Sequence, residues 1–167
     1  AKLREELELF RSIGIDISGR LYISKACHVI TEDAIEYDKA NNKIGTTNSG
    51  IGPTYANKML RTSERVEKCI VELEEMGVKV VDMRKFWFEE EVRKVLLEGA
   101  QGFELDINWT NNYPYCTSSV CTIGGAVNTC IPIKKLGRIY GVSKMYDTYV
   151  GTRAFQDMED PMLERLG

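Results

Sequence analysis

Three features of the amino-acid sequence predict an α/β fold with a mixed, largely parallel sheet flanked by helices. Short apolar stretches of strand character at 20–24, 78–81 and 95–97 alternate with segments whose apolar residues recur at helical spacing. The chain has 167 residues, 43% hydrophobic and 28% charged, which suits one domain able to bury its own core. An irregular segment at 102–130, rich in Asn, Thr, Ser, Gly and aromatic residues, is too long for a passive connection and reads as functional.

Taken in order, Leu3, Leu7 and Phe10 sit between Glu and Arg residues, which predicts an amphipathic helix over 2–13, closed by Gly14. Arg20-Leu-Tyr-Ile-Ser24 has the length and composition of a buried strand. Thr31 is the expected N-cap of a helix running to about Asn41. A Gly/Thr/Asn/Ser loop occupies 45–53, and 54–76 reads as one or two helices, with Ser63 as a candidate second N-cap ahead of Val66, Ile70 and Leu73. Gly77 stops the helix, Val78-Lys-Val-Val81 is a strand, and 83–93 returns to helix. Val95-Leu-Leu97 reads as a short strand entering Glu98-Gly-Ala-Gln-Gly102, and 133–150 as a helix leading to a strand.

Composition narrows the function. Lys+Arg 22 against Asp+Glu 25 gives a formal charge of −3, so no bulk field recruits nucleic acid or an anionic membrane. The apolar runs are too short for a membrane span, and the charged start AKLREELELF is unlike a signal peptide, which makes a cytoplasmic location the expectation. The five cysteines are odd in number and form no Cys-x-x-Cys pair, and the one histidine, His28, lies beside Cys27. They read as reduced thiols packed as small hydrophobes, with no metal site in the chain.

Three loops carry chemistry. Ile44-Gly-Thr-Thr-Asn-Ser-Gly-Ile-Gly-Pro53 combines glycines, which let a ligand approach the backbone, with hydroxyl donors ahead of a helix start. It lacks the Gly-Lys-Ser/Thr ending of a Walker A loop, and a phosphate cradle and an ordinary glycine-rich turn fit it equally. Glu98-Gly-Ala-Gln-Gly102 follows an apolar stretch, where a Gln amide could pair with a base edge or simply cap a turn. Tyr113-Pro-Tyr-Cys-Thr-Ser-Ser119 sets consecutive hydroxyls after an aromatic-proline turn, suited to a phosphate or to closing over a core.

In this order and spacing the three loops resemble the adenylosuccinate synthetase family. The likeness starts at Arg20-Leu-Tyr-Ile-Ser-Lys-Ala-Cys27 and continues through Gly45-Thr-Thr, Gly50-Ile-Gly-Pro-Thr-Tyr55 and Lys58. Leu97-Glu-Gly-Ala-Gln-Gly102, Leu105-Asp-Ile107, Tyr113-Pro-Tyr115 and Thr117-Ser-Ser119 extend it. Gly124-Gly125 and Gly141, Lys144, Tyr146, Thr148 and Val150-Gly151 complete it, over roughly residues 1–155.

The resemblance implies that 1–167 is the central part of a single adenylosuccinate-synthetase-like domain and that the irregular segment binds nucleotide. It implies a ligase of purine biosynthesis joining inosine monophosphate (IMP) to L-aspartate with GTP hydrolysis and Mg²⁺, through a 6-phosphoryl intermediate. By the same likeness Thr47 and Thr117 contact the nucleotide phosphate. Arg61 reaches the nucleotide of the neighbouring subunit in a homodimer, and Gln101 faces the purine 6-oxo group as binding and catalytic residue.

The sequence also departs from the family. The family's N-terminal Gly-Asp-Glu-Gly-Lys-Gly-Lys segment, its acid histidine, its aspartate-binding arginine loop and its guanine reader are not found here. The stretch between Arg65 and Val95 is short, as in compact archaeal and phage forms. Asn48-Ser49, the Trp109–Asn112 insertion and Thr148-Tyr-Val-Gly-Thr-Arg-Ala-Phe155 differ from the usual motifs. These changes admit a phage-type synthetase using deoxyguanylate (dGMP) and aspartate, with ATP as a possible donor. They also admit a non-catalytic nucleotide-binding or dimerisation module.

Overall fold

The computed structural model describes residues 2–89, 94–146, 148 and 150–152. It is α/β, built on a two-stranded parallel sheet of β1 (Tyr22–Ser24) and β2 (Lys79–Val81), with Tyr22 opposite Lys79, Ile23 opposite Val80 and Ser24 opposite Val81. Main-chain bonds from Lys79 to Leu21 and from Lys25 to Val81, both 2.9 Å, extend the ladder past each end.

Helix α1 (Lys2–Ser12) turns Leu7 inward and ends at Gly14, whose φ of 78° suits only a residue without Cβ. Leu7, Val66, Leu73 and Val78 form the main core, with Leu3, Ile17, Leu21, Ile23, Val29, Cys69, Met76 and Val80 against it. Helix α2 (Glu32–Ala40) is capped as expected: the Thr31 hydroxyl accepts the Ala34 N–H, and Glu32 and Asp33 lie in the first turn, favourably for the helix dipole. Helix α3 (Ile51–Leu60) packs on α2.

The expected helical stretch at 54–76 divides. Helix α3 starts earlier, at Ile51, and a 3₁₀ turn at Val66–Cys69 precedes α4 (Ile70–Glu75). Ser63 is no N-cap, because its hydroxyl bonds the His28 imidazole instead. Helix α5 (Met83–Glu89) buries Trp87, whose indole N–H donates to the Thr129 carbonyl at 2.8 Å, while Lys135 donates to the Trp87 carbonyl at 3.0 Å. Residues 90–93 of the expected helix lie outside the described residues. Lys25 and Asp82 pair at 2.7 Å where β1 ends and α5 begins.

Two expectations are corrected. Val95-Leu-Leu97 is not a strand: it pairs with nothing among the described residues, and Leu96 is 84% exposed. Nor do 133–146 form a helix and strand. A 3₁₀ turn at Ile133–Lys135 gives way to irregular chain with Ile139, Tyr140, Val142 and Met145 exposed. Apolar residues at helical or strand spacing form regular structure only where a packing surface offsets the ordering entropy, and the described residues supply none there. Positions 147 and 149 lie outside the described residues. The cysteines are free, but only Cys69, Cys116 and Cys121 are half-buried; Cys27 and Cys130 are exposed and do not pack as hydrophobes. No helix among the described residues is long and apolar enough to cross a membrane.

Candidate nucleotide site

The loop before α3 is held by a carboxylate on α2. Asp38 accepts the Gly50 N–H through one oxygen at 2.9 Å and the Thr46 hydroxyl through the other at 3.1 Å. Asn42 braces the same turn, accepting the Thr46 N–H at 2.8 Å and donating to Asn48 at 2.7 Å. This separates the two threonines. Thr46 is bound into the fold, whereas Thr47 is exposed, its hydroxyl unbonded among the described residues and available to a ligand.

Gly50, with φ 74°, brings α3 onto α2: a Cβ there would lie 2.9 Å from Ile30 Cγ2 and from the Ile35 nitrogen. Thr54, buried one turn in, donates its hydroxyl to the Gly50 carbonyl at 2.7 Å. Gly45 has no room for a side chain either, since a Cβ would meet the Thr152 nitrogen at 2.7 Å. The chain around Gly151 therefore rests on this loop.

The third loop meets the start of α3, and the second meets Cys121, just beyond the third. Gln101 is exposed on a left-handed turn, φ 64°, with its amide oxygen 3.7 Å from Cys121 Sγ. Thr117 is half-buried and its hydroxyl is engaged by its own loop, 2.9 Å from the Ser119 carbonyl and 3.1 Å from that of Leu105. Its neighbour Ser118 faces the first turn of α3, where a Cβ on Gly52 would lie 3.8 Å from the serine oxygen. The Tyr113–Pro114 bond is cis. Ser118 thus lies by the start of α3, and Gln101 lies by Cys121, two residues beyond the 117–119 hydroxyls.

Arg61 stands apart. It closes α3 at the opposite end with φ 63°, and it is exposed. Ten helical residues at 1.5 Å each separate it from the loop by about 15 Å, more than an extended arginine spans. It cannot share a phosphate with Thr47 of its own chain.

Asp106 received no role from the sequence beyond its place in Leu105-Asp-Ile107, yet it is completely buried. It accepts the N–H groups of Cys121 at 2.6 Å, Thr122 at 2.8 Å and Asn108 at 2.8 Å. Burial works to raise its carboxyl pKa, but the amide donors outweigh it and hold the group below the usual carboxylate range. A carboxylate between Leu105 and Ile107 was the only hint available in the sequence. Burial pushes the nearby Cys116 thiol up. Among the described residues no three His, Cys, Asp or Glu side chains gather as a metal cage.

Comparison with known proteins decides the family. The adenylosuccinate synthetase family model matches residues 1–90 and 72–166. The chain belongs to the adenylosuccinate synthetase family. Adenylosuccinate synthetase of Nitrosomonas europaea is 31% identical over 213 residues, covering 98% of this chain and 49% of that protein. The enzyme of Chlorobium phaeobacteroides is 32% identical over 216 residues, covering 100% and 50%. The chain thus spans about half the length of these adenylosuccinate synthetases. A 216-residue alignment on a 167-residue chain also means that the relative carries residues this chain lacks internally. The two family matches overlap at 72–90, inside the 65–95 stretch that is short on sequence grounds.

A solved structure of cyanophage S-2L succinoaminodeoxyadenylate synthetase, bound to dGMP and dATP as an energy donor, superposes with a TM-score of 0.62 at 23% identity. The match covers 74% of this chain and 36% of that one, and it establishes likeness of fold.

Proposed function

We propose that this chain is the nucleotide-gripping central part of a purine nucleotide ligase, which joins the 6-position of IMP to the amine of L-aspartate and takes the phosphoryl group from GTP. The observation that carries the reading is the surface where the Tyr113–Ser119 loop meets the start of α3 through Ser118, directly after a loop whose Thr47 hydroxyl is unbonded among the described residues. Membership in the adenylosuccinate synthetase family gives that surface its chemistry.

In this reading Thr47 and the start of α3 hold the monophosphate. Thr117 exchanges one carbonyl partner for a phosphate oxygen, a small change for a hydroxyl whose single proton already has two carbonyls to choose from. Gln101 faces O6 and steadies the charge that develops there as the oxygen is phosphorylated and then leaves as phosphate when the amine attacks C6. Holding the purine still supplies much of the rate advantage. Arg61, too far from its own loop, serves the nucleotide of a second subunit in a homodimer.

A second reading takes dGMP in place of IMP, with ATP in place of GTP. It is supported by the short 65–95 stretch and by a fold neighbour whose structure holds dGMP and dATP.

Phosphate release by the full-length protein, with aspartate, Mg²⁺ and GTP or ATP, tests both readings. Turnover that requires aspartate and a 6-oxo purine monophosphate supports the ligase, and the better of IMP and dGMP names the substrate. No turnover together with no calorimetric binding of either monophosphate refutes both readings, and a nucleotide-independent dimer would then leave a subunit-association role.

A further inference from the structure

We propose that Asp106 and Cys121 are positioning residues that fix which end of the Gln101 amide faces the nucleotide. The inference rests on the reading of Gln101 as the purine-facing residue. Asp106 is a fully buried carboxylate that accepts three main-chain N–H groups, and two of them, from Cys121 and Thr122, converge on one oxygen. That oxygen pins the chain where the Tyr113–Ser119 loop gives way to α6 (Ile123–Val127). A charged acceptor with two short amide bonds is a stiff anchor, so Cys121 is held in place from beneath.

The Cys121 sulfur lies 3.2 Å from the Thr117 hydroxyl, 3.6 Å from the Ser119 carbonyl and 3.7 Å from the Gln101 amide oxygen. Thr117 directs its own proton to a main-chain carbonyl. With the Ser119 carbonyl already accepting from the Thr117 hydroxyl at 2.9 Å, the thiol proton is directed to Gln101, whose oxygen is occupied from inside the protein. The two N–H donors of the amide are left for the ligand. A pair of donors accepts a purine bearing an oxo group at position 6 and meets an amino group donor to donor. Cys121 thus selects against 6-amino purine monophosphates by controlling Gln101, and Asp106 acts one step further back.

The test is calorimetric binding of IMP and adenosine monophosphate (AMP) to the full-length protein and to Cys121→Ser and Cys121→Val. Wild type is expected to favour the oxo nucleotide by about tenfold or more, because the amide donors, covered once a purine sits on them, go unmatched against an amino group. Cys121→Val keeps the bulk but frees the amide to flip, so the ratio should fall to about threefold or less. Cys121→Ser, which still donates, should stay within about twofold of wild type. A valine variant with the wild-type ratio overturns the inference, as does a serine variant that loses as much as valine, while wild-type binding of IMP leaves the site reading intact in both cases. If wild type binds neither nucleotide, the reading of Gln101 falls and the positioning role with it. Asp106→Asn sets an NH₂ group against either the Asn108 N–H or the Cys121 and Thr122 N–H pair and removes the charge, and should lower the same ratio; a folded variant with the wild-type ratio removes Asp106 from the relay.

Discussion

Replacing Gly50 by alanine puts the α2–α3 joint under a strain whose size can be worked out. The residue has φ 74°, and a left-handed backbone costs an L-residue about 1–2 kcal/mol. The new Cβ would also lie 2.9 Å from Ile30 Cγ2, 2.9 Å from the Ile35 nitrogen and 3.0 Å from the Ala34 carbonyl carbon. Two of these three atoms belong to the α2 backbone and cannot rotate away, so relief requires the helices to separate, at about 1–3 kcal/mol. The stiffer unfolded chain returns about 0.4–1 kcal/mol. The net expectation is a loss of about 2–4 kcal/mol, a fall of about 5–15 °C in Tm for a chain of this length. Urea denaturation of Gly50→Ala should show a lower midpoint at unchanged slope. Gly137→Ala, whose Cβ meets nothing within 4 Å, is the control and should be neutral. A Gly50→Ala variant within about 1 kcal/mol of wild type would refute the packing argument.

Three further outcomes are expected. Thr46→Ala should lower Tm by removing a hydroxyl bonded to Asp38, at about 1 kcal/mol, whereas Thr47→Ala should leave Tm unchanged and weaken monophosphate binding in calorimetry. Arg61→Ala should weaken nucleotide binding, and mixing it with Gln101→Ala should restore some phosphate release through hybrid dimers; mixtures with no more activity than the separate variants would refute a role for Arg61 at a second subunit's nucleotide. His28 is held below the usual histidine pKa by burial first, then by the charges of Lys58 and Arg65. A depressed folded-state pKa gives stability that is present above about pH 6.5 and lost as pH falls toward the folded value. Melts of wild type should therefore weaken from pH 7 to 5 more than those of His28→Asn, and NMR can follow the one imidazole directly.

The elements that were legible in the sequence are those with local causes. Thr31 caps α2 because a hydroxyl and an amide three residues on need nothing distant, and α1 ends at Gly14 for an equally local reason. The strands at 22–24 and 79–81 were readable because their apolar residues meet the Leu7–Val78 core. Val95–Leu97 and 133–146 carry the same kind of pattern but have no surface among the described residues to pack on. Within the candidate site, Thr47, Gln101 and Thr117 could be proposed from loop composition and likeness. The inward turn of the Thr117 hydroxyl could not, because its acceptor at Leu105 comes from another loop. Asp106 was hidden for the same reason: only folding brings the amides of 121 and 122 to its carboxylate.

The parallel register of the two strands governs how the molecule comes together in time. Tyr22–Ser24 cannot pair with Lys79–Val81 until all the chain between them has looped out, and the entropy of that closure is met before the strand contacts form. The Thr31-capped helix and the 46–50 turn need no such closure and can form early. On the proposed reading, a nucleotide gripped by the 44–53 loop lies within the closed loop and also contacts Gln101 and Thr117, which come from chain beyond it. Such a ligand slows opening more than it speeds closing, and the lifetime of the folded state is where its effect should be largest.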